Sequence, residues 1–499
     1  MRGRRRLVSN NRKIMYIYPT IITTILLLIS TLFFNTKCQD ESLQQENELI
    51  SRGIYLDKAD VLRNCDSSFK SDDGTIFTYV NSIGVGCILI SLKSPSKSRF
   101  KYKTPMVLHI PTFLTPSSYN QALSTDSPGV NDIGAIEVHV VLPGRCINID
   151  EEMKCSDNIK DFGGKLSQMA IRTGLRFLLG DRKDGDGKYI TDLIANADID
   201  NVGMFAFSHP GMLLMTTLAN WGSYVDRLAY IVKRENPTQS MFVSVELGDA
   251  DQHSKSNPLY SLSDNYSSDY IEIDYSSVKW DDDSSAPYFD LDDDSSYNNK
   301  DFLLGTRVPE AEFKGETKKL YSLELISSIE DKGIILPENI ATASELKTFW
   351  DGRVTIGNDF DGNFINSYKK VAKDLPNLKQ MIVFSAPQHV QNCKDAPTVH
   401  QAFDGFNSYD LWVRINPDLE YVRQVYMNSE LDYYAAYHPD NDANDEPSDW
   451  TDIEDFAYIP KAQGHGSMVA LAALAEMIDR TNFDVWYKDD NLDSVLHDY

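Results

Sequence analysis

The stretch Val202-Gly203-Met204-Phe205-Ala206-Phe207-Ser208-His209-Pro210-Gly211 holds the side chain best placed for covalent chemistry. An apolar run leads straight into Ser208, and a helix with proline at its start follows. A serine hydroxyl is a weak nucleophile at neutral pH and needs an aligned base. A tight strand-to-helix turn lifts such a hydroxyl clear of the backbone and aims a helix N-terminus at the developing oxyanion. The turn brings strand and helix close together, so its flanks must be small, and Ala206 and Gly211 meet that need. A serine between strand and helix also serves as a plain N-cap, so the chemistry needs a second group.

The elements that must position Ser208 follow from hydrophobic spacing. Thr75–Asn81 and Gly86–Leu92 read as paired strands, rich in Ile, Val and Phe. Pro105–Ile110, Ala135–Leu142, Val202–Phe207 and Leu228–Val232 are further short apolar runs. Lys165–Leu179 has helical spacing, with Leu166, Met169, Ala170, Leu175 and Leu178 on one face. Pro210–Asn220 is a second helix, where a first-turn proline loses no hydrogen bond. Strands alternating with helices predict an α/β fold, with a mostly parallel central sheet and crossover helices. The rhythm breaks across 239–365, where Asp281-Asp282-Asp283-Ser284-Ser285 and Asp292-Asp293-Asp294-Ser295-Ser296 stand out. A structureless loop of that length is improbable, so an inserted subdomain is expected, with Ala341–Phe349 helical. The pattern resumes with a helix at Tyr368–Asp374, strands at Gln380–Ser385 and Asp455–Ile459, and a closing helix at Gly466–Arg480.

Composition limits the function. A formal net charge of −26 over 499 residues repels nucleic acid and does not favour an anionic membrane. Arg2, Arg4, Arg5, Arg6, Arg12 and Lys13 precede an uncharged stretch from Ile14 to Thr36, long enough to span a bilayer. A cleaved signal peptide or a single N-terminal membrane anchor is expected, with the rest of the chain outside the cytoplasm. Six cysteines agree with an oxidising compartment. Cys146 with Cys155 and Cys65 with Cys87 are the plausible pairs, leaving Cys38 and Cys393. Asn265-Tyr266-Ser267 is an N-glycosylation sequon.

The Ser208 stretch resembles the nucleophile elbow G-x-S-x-G of the α/β-hydrolase superfamily. Ala206 stands in the first glycine position and Pro210 in the second, with Gly211 one residue late. The resemblance covers about residues 75–480. It implies a base histidine on the loop after the last strand, and His465 in Gly464-His465-Gly466 fits. It implies an oxyanion hole made by the N–H of His209 and by Thr112 or Phe113 after the third strand, since Pro111 has no N–H. The acid slot it implies, after the strand ending near Ser385, holds Gln388, which cannot stabilise an imidazolium by charge. Three outcomes stay open. The acid is Asp432 or Glu430, Gln388 serves weakly, or the protein is a non-catalytic relative of the enzymes.

The resulting division is a signal peptide or anchor at 1–38, a polar connector at 39–72, the hydrolase core at 73–238 and 366–499, and an acidic cap at 239–365. The expected function is an extracytoplasmic serine hydrolase acting on a small-molecule or peptide substrate, without cofactor. The rival is a cell-surface binding protein on the same fold. No metal site is expected. Asp181-Arg182-Lys183-Asp184-Gly185-Asp186-Gly187 fails the calcium-loop register, because Gly187 at the turn puts Arg182 at the first ligand position. It is expected to be a solvated acidic turn, as are the runs at 281–283 and 292–294. His389 and His400 have no partner at metal-ligand spacing.

Overall fold

A computed structural model describes residues 65–112, 129–208, 210–234, 271–304, 315–350, 364–383, 411–415 and 466–484. Shorter pieces are described at 248–249, 255–256, 260–262, 308, 310–313, 409 and 486. The chain divides after Leu62, and all described residues belong to the second unit, Arg63–Tyr499. The Ile14–Thr36 stretch, Cys38, Cys393, the Asn265 sequon, His389, His400 and the Asp455–Ile459 strand lie outside the described residues. No helix among the described residues is long and apolar enough to cross a membrane.

A nine-stranded sheet forms the centre. Its strands are β1 Phe69–Lys70, β2 Ile76–Ser82, β3 Gly86–Lys93, β4 Thr104–His109, β5 Ile136–Val140, β6 Ala197–Phe207, β7 Tyr230–Arg234, β8 Lys379–Val383 and β9 Val413–Ile415. They lie in the order β1-β2-β3-β5-β4-β6-β7-β8-β9. From β5 to β9 all pairings are parallel, while β1, β2 and β3 form an antiparallel edge. Parallel strands need crossovers and are covered on both faces, which is why β4 and β5 are buried at every position.

Four helices cover the sheet: α1 Lys165–Leu178, α2 Pro210–Trp221, α3 Phe364–Asp374 and α4 Gly466–Phe483. The helix α2 packs between α1 and α3. On the other face, Ala470, Leu471, Leu474, Met477 and Ile478 of α4 share a core with Val107, Phe205, Tyr230, Val232 and Met381. Gly203 is required here, because a Cβ at this position would lie 2.0 Å from the Tyr230 ring. The amide of Asn201 donates to the Ile478 carbonyl at 3.0 Å. The carboxyl end of α4 therefore sits at the start of β6, and its amino end is directed toward the carboxyl ends of the strands.

Several boundaries differ from expectation. The strand β6 starts at Ala197, before its apolar run, because Asp198 holds Lys103 at 3.0 Å and the pairing with β4 is irregular there. The strand β7 runs on through Lys233 and Arg234, both buried, so charge hid its end. The end of the expected connector, Phe69–Lys70, is a strand on β2. Asp181–Gly187 is exposed, as expected, except at the half-buried Arg182 and the buried Asp184. Asp184 is buried and accepts from Thr78 at 2.9 Å, and Asp186 accepts from the Ser68 hydroxyl at 2.6 Å.

Both cysteine pairs are bridged, Cys65 to Cys87 and Cys146 to Cys155. Such bridges fit an oxidising environment. The second closes a hairpin of Cys146–Ile149 and Glu152–Cys155 whose turn, Asp150-Glu151, has φ of 48° and 70°. Non-glycine residues at both turn positions masked this hairpin in the sequence. The 239–365 stretch falls between β7 and β8, and its described residues contribute no strand to the central sheet. Its described elements include a sheet of Val278–Asp281, Ala286–Phe289 and Phe302–Leu303, and helices at Leu323–Asp331 and Ala343–Trp350.

A buried ion pair ties α4 to the loop after β3. The Arg99 guanidinium meets both Asp479 oxygens, at 2.7 and 2.6 Å, with both side chains under 5% exposed. Asp479→Ala strips the counter-charge from a buried guanidinium and is expected to destabilise the fold by about 3–5 kcal/mol, measured as the shift in urea unfolding.

Candidate active site

The strand β6 ends at Phe207 and α2 begins at Pro210, so the chain reverses direction in two residues. Ser208 makes that reversal with φ of 62°. This is left-handed backbone, which costs an L-residue with a Cβ roughly 1–2 kcal/mol. Two hydrogen bonds hold it there. The Ser208 N–H donates to the Arg234 carbonyl at 2.9 Å, extending the β6–β7 ladder past the strand end. The Gly211 N–H donates to the Ser208 carbonyl at 2.9 Å and opens the helix. Ser208 and the strand's last residue, Phe207, are half-buried, while Phe205 and Ala206 before them are fully buried.

The second strand of the site is β4. His109 pairs with Phe205, and the Ile110 N–H donates to the Phe205 carbonyl at 2.8 Å. Thr112 follows His109 by three residues, as Ser208 follows Phe205 by three. Both thus leave the carboxyl ends of neighbouring parallel strands. A ligand crevice in an open parallel sheet lies at that end. Thr112 is half-buried.

A positive-φ serine thus stands between a parallel strand and a helix that begins at Pro210, the backbone arrangement expected from the sequence. The mostly parallel central sheet and its flanking helices are the α/β fold expected from the sequence. Among solved structures, the chain is similar to a thermostable esterase from Pseudomonas putida, at 10% identity and a TM-score of 0.34, over 86% of this chain and 87% of that one. It is similar to fungal esterases from Rhizomucor miehei, at 9% identity and a TM-score of 0.35, over 87% and 88%. An acylaminoacyl peptidase from Pyrococcus horikoshii is also similar, at 8% identity and a TM-score of 0.30, over 70% of this chain and 36% of that one. No family model and no curated protein matches the chain.

Of the expected site residues, the structure describes Ser208 and Thr112 and brings both to one end of the sheet. His209, Phe113, His465, Asp432, Glu430 and Gln388 lie outside the described residues. Gly466, next to His465 in sequence, starts the helix whose amino end is directed toward the strands' carboxyl ends.

Buried charge near Ser208 was not legible in the sequence. Lys233 pairs with Ala206 across the ladder, and complete burial drives its ammonium well below the ordinary lysine range. Arg234 points to the opposite face, with its guanidinium 4.4 Å from the Phe207 ring centre. His109, Glu137 and His139 are buried together on β4 and β5. Their signal was there, because Glu137-Val138-His139 puts two ligating types on one face of a strand. The Asp290, Asp292 and Asp294 carboxylates also converge within 4.8 Å, answered by Lys279 at 3.0 Å and Lys300 at 2.8 Å.

Glycine tolerates the backbone of Ser208, while alanine keeps the strain. Ser208→Gly is therefore expected to exceed Ser208→Ala in stability by about 0.5–1 kcal/mol, the left-handed relief outweighing the added chain entropy. Parallel denaturant titrations of the two variants measure this.

Proposed function

We propose that the chain is an extracytoplasmic serine hydrolase that cleaves an ester or amide through an acyl-enzyme on Ser208. The observation that carries this reading is the Ser208 backbone, at φ 62° between β6 and a helix buried from Pro210 to Ala219. The backbone alone does not demand a serine there, because glycine would hold the same turn without strain.

In this reading the Ser208 Oγ attacks the acyl carbon while His465 takes its proton. The tetrahedral oxyanion accepts hydrogen bonds from the N–H of His209 and of Thr112 or Phe113, with the α2 N-terminus behind them. Collapse expels the alcohol or amine, which leaves with the proton held by His465. Water then attacks the acyl-enzyme, giving its proton to His465, and Ser208 regains a proton as the acid departs. Asp432 is the acid assigned to orient His465 and stabilise its imidazolium, in preference to Glu430. Gln388 in its place would supply a hydrogen bond without charge.

The Ile14–Thr36 stretch serves as signal peptide or anchor, and the disulfides support a location outside the cytoplasm. The 239–365 segment acts as a cap that shapes access to a small-molecule or peptide substrate. Gln388 in the acid slot favours one rival, a non-catalytic surface protein on this fold that binds through its acidic cap.

A fluorophosphonate probe separates the two. The full chain is expected to be labelled, with labelling lost in Ser208→Ala and His465→Ala. Folded protein that resists the probe would leave the binding role. If Asp432 is the acid, Asp432→Asn lowers turnover of an activated ester by about 10⁴-fold. Unchanged turnover would remove Asp432 from the triad.

A further inference from the structure

The strands β4 and β5 pair in parallel, with Val107 opposite Glu137 and His109 opposite His139. Side chains alternate along a strand, so His109, Glu137 and His139 share one face. One ring nitrogen of each histidine and one Glu137 oxygen lie within 4.8 Å of one another. The His139 Nε2 and Glu137 Oε1 are already 3.1 Å apart. All three residues are buried, at 4%, 7% and 5% exposure for His109, Glu137 and His139. Among the described residues, the buried His109 Nδ1 has no hydrogen-bond partner. Such a nitrogen calls for a partner that the described residues do not supply.

The surroundings rule out a plain apolar role. The His109 ring lies 5.1 Å from the His139 ring and 5.3 Å from that of Phe205, with no donor or acceptor offered by the latter. Glu137 and His139 also line a cavity of about 320 Å³, together with Ser71, Asp73, Ser91 and Lys93. The cavity supplies an entry path and room for water.

We propose that His109, Glu137 and His139 form a zinc site, with water from this cavity as the fourth ligand. Two imidazoles and one carboxylate are a nitrogen-rich set that suits zinc, whereas calcium and magnesium take oxygen ligands. Tetrahedral bonds of 2.0–2.1 Å place ligand atoms roughly 3.4 Å apart, a modest contraction of this cluster. The ion would clamp β4 to β5 where β3 also pairs with His139. It thereby stiffens the strand that leads to Thr112. The zinc site is independent of acyl transfer at Ser208, and its test does not use activity.

The full chain, stripped with a chelator, is titrated with zinc chloride by calorimetry and followed by thermal unfolding. One zinc per chain and a raised Tm are expected, with no rise from magnesium or calcium. His139→Gln and His109→Gln are expected to weaken zinc binding by about 100-fold or more, since even the outer partners of metal ligands are worth roughly 10–100-fold. Absence of saturable zinc binding, or wild-type binding in both folded variants, overturns the proposal. If neither variant folds, cobalt(II) in the wild-type chain decides. Intense visible absorption from a four-coordinate ion supports the site, and the weak spectrum of a six-coordinate ion overturns it.

Discussion

The helix α2 has no polar face, and the centre of the molecule follows from the need to bury it on every side. From Pro210 to Ala219 each of its residues is buried, Thr216 and Thr217 included. A helix apolar all round must sit inside the protein. It lies against the sheet with α1 and α3 on its flanks. The Thr216 hydroxyl donates back to the Met212 carbonyl within the helix. Arg172 of α1 closes the packing, laying its guanidinium over the Trp221 and Tyr224 rings at 4.7 and 5.2 Å. A helix so enclosed has little freedom to start elsewhere, and the left-handed backbone at Ser208 is held by that enclosure.

The α/β class, most core strands and all four core helices were legible because burial on a sheet writes apolar runs and burial on a helix writes a 3.6-residue stripe. Ser208 was legible for a related reason, since a strand-to-helix reversal needs the small residues Ala206 and Gly211 beside it. What stayed hidden carries polar side chains into buried places. The strand β9 is three residues long with Arg414 at its middle. The last residues of β7 are Lys233 and Arg234. Hydropathy reads such positions as loop, while tertiary contacts that spacing cannot foresee make them tolerable.

The same limit applies to the site. Glu137 and His139 are two apart on one strand, but His109 joins them only through the parallel register of β4 and β5. Nothing local in the chain announces a pairing across that interval. The Asp184 and Asp186 turn shows the converse. Its acidic composition suggested solvent, and most of it is exposed, but it also latches Thr78 and Ser68 of the antiparallel edge, and Gly185 donates to the Tyr79 carbonyl at 2.7 Å. Charge alone did not distinguish a latch from a wet turn.

The long-range bonds of α4 set the order in which the molecule can be finished. Asn201 meets Ile478, and Arg99 meets Asp479, across nearly the whole described chain. Until that helix has been synthesised, Val107, Phe205, Tyr230 and Met381 lack the apolar side chains of α4 that complete their core. A growing chain must therefore carry a wide sticky surface through most of its production, and chaperones that hold extended polypeptides have their target there. Stop codons or proteolytic cuts ahead of Gly466 would leave a full set of strands unable to close, so quality control can recognise a damaged copy from a single missing helix.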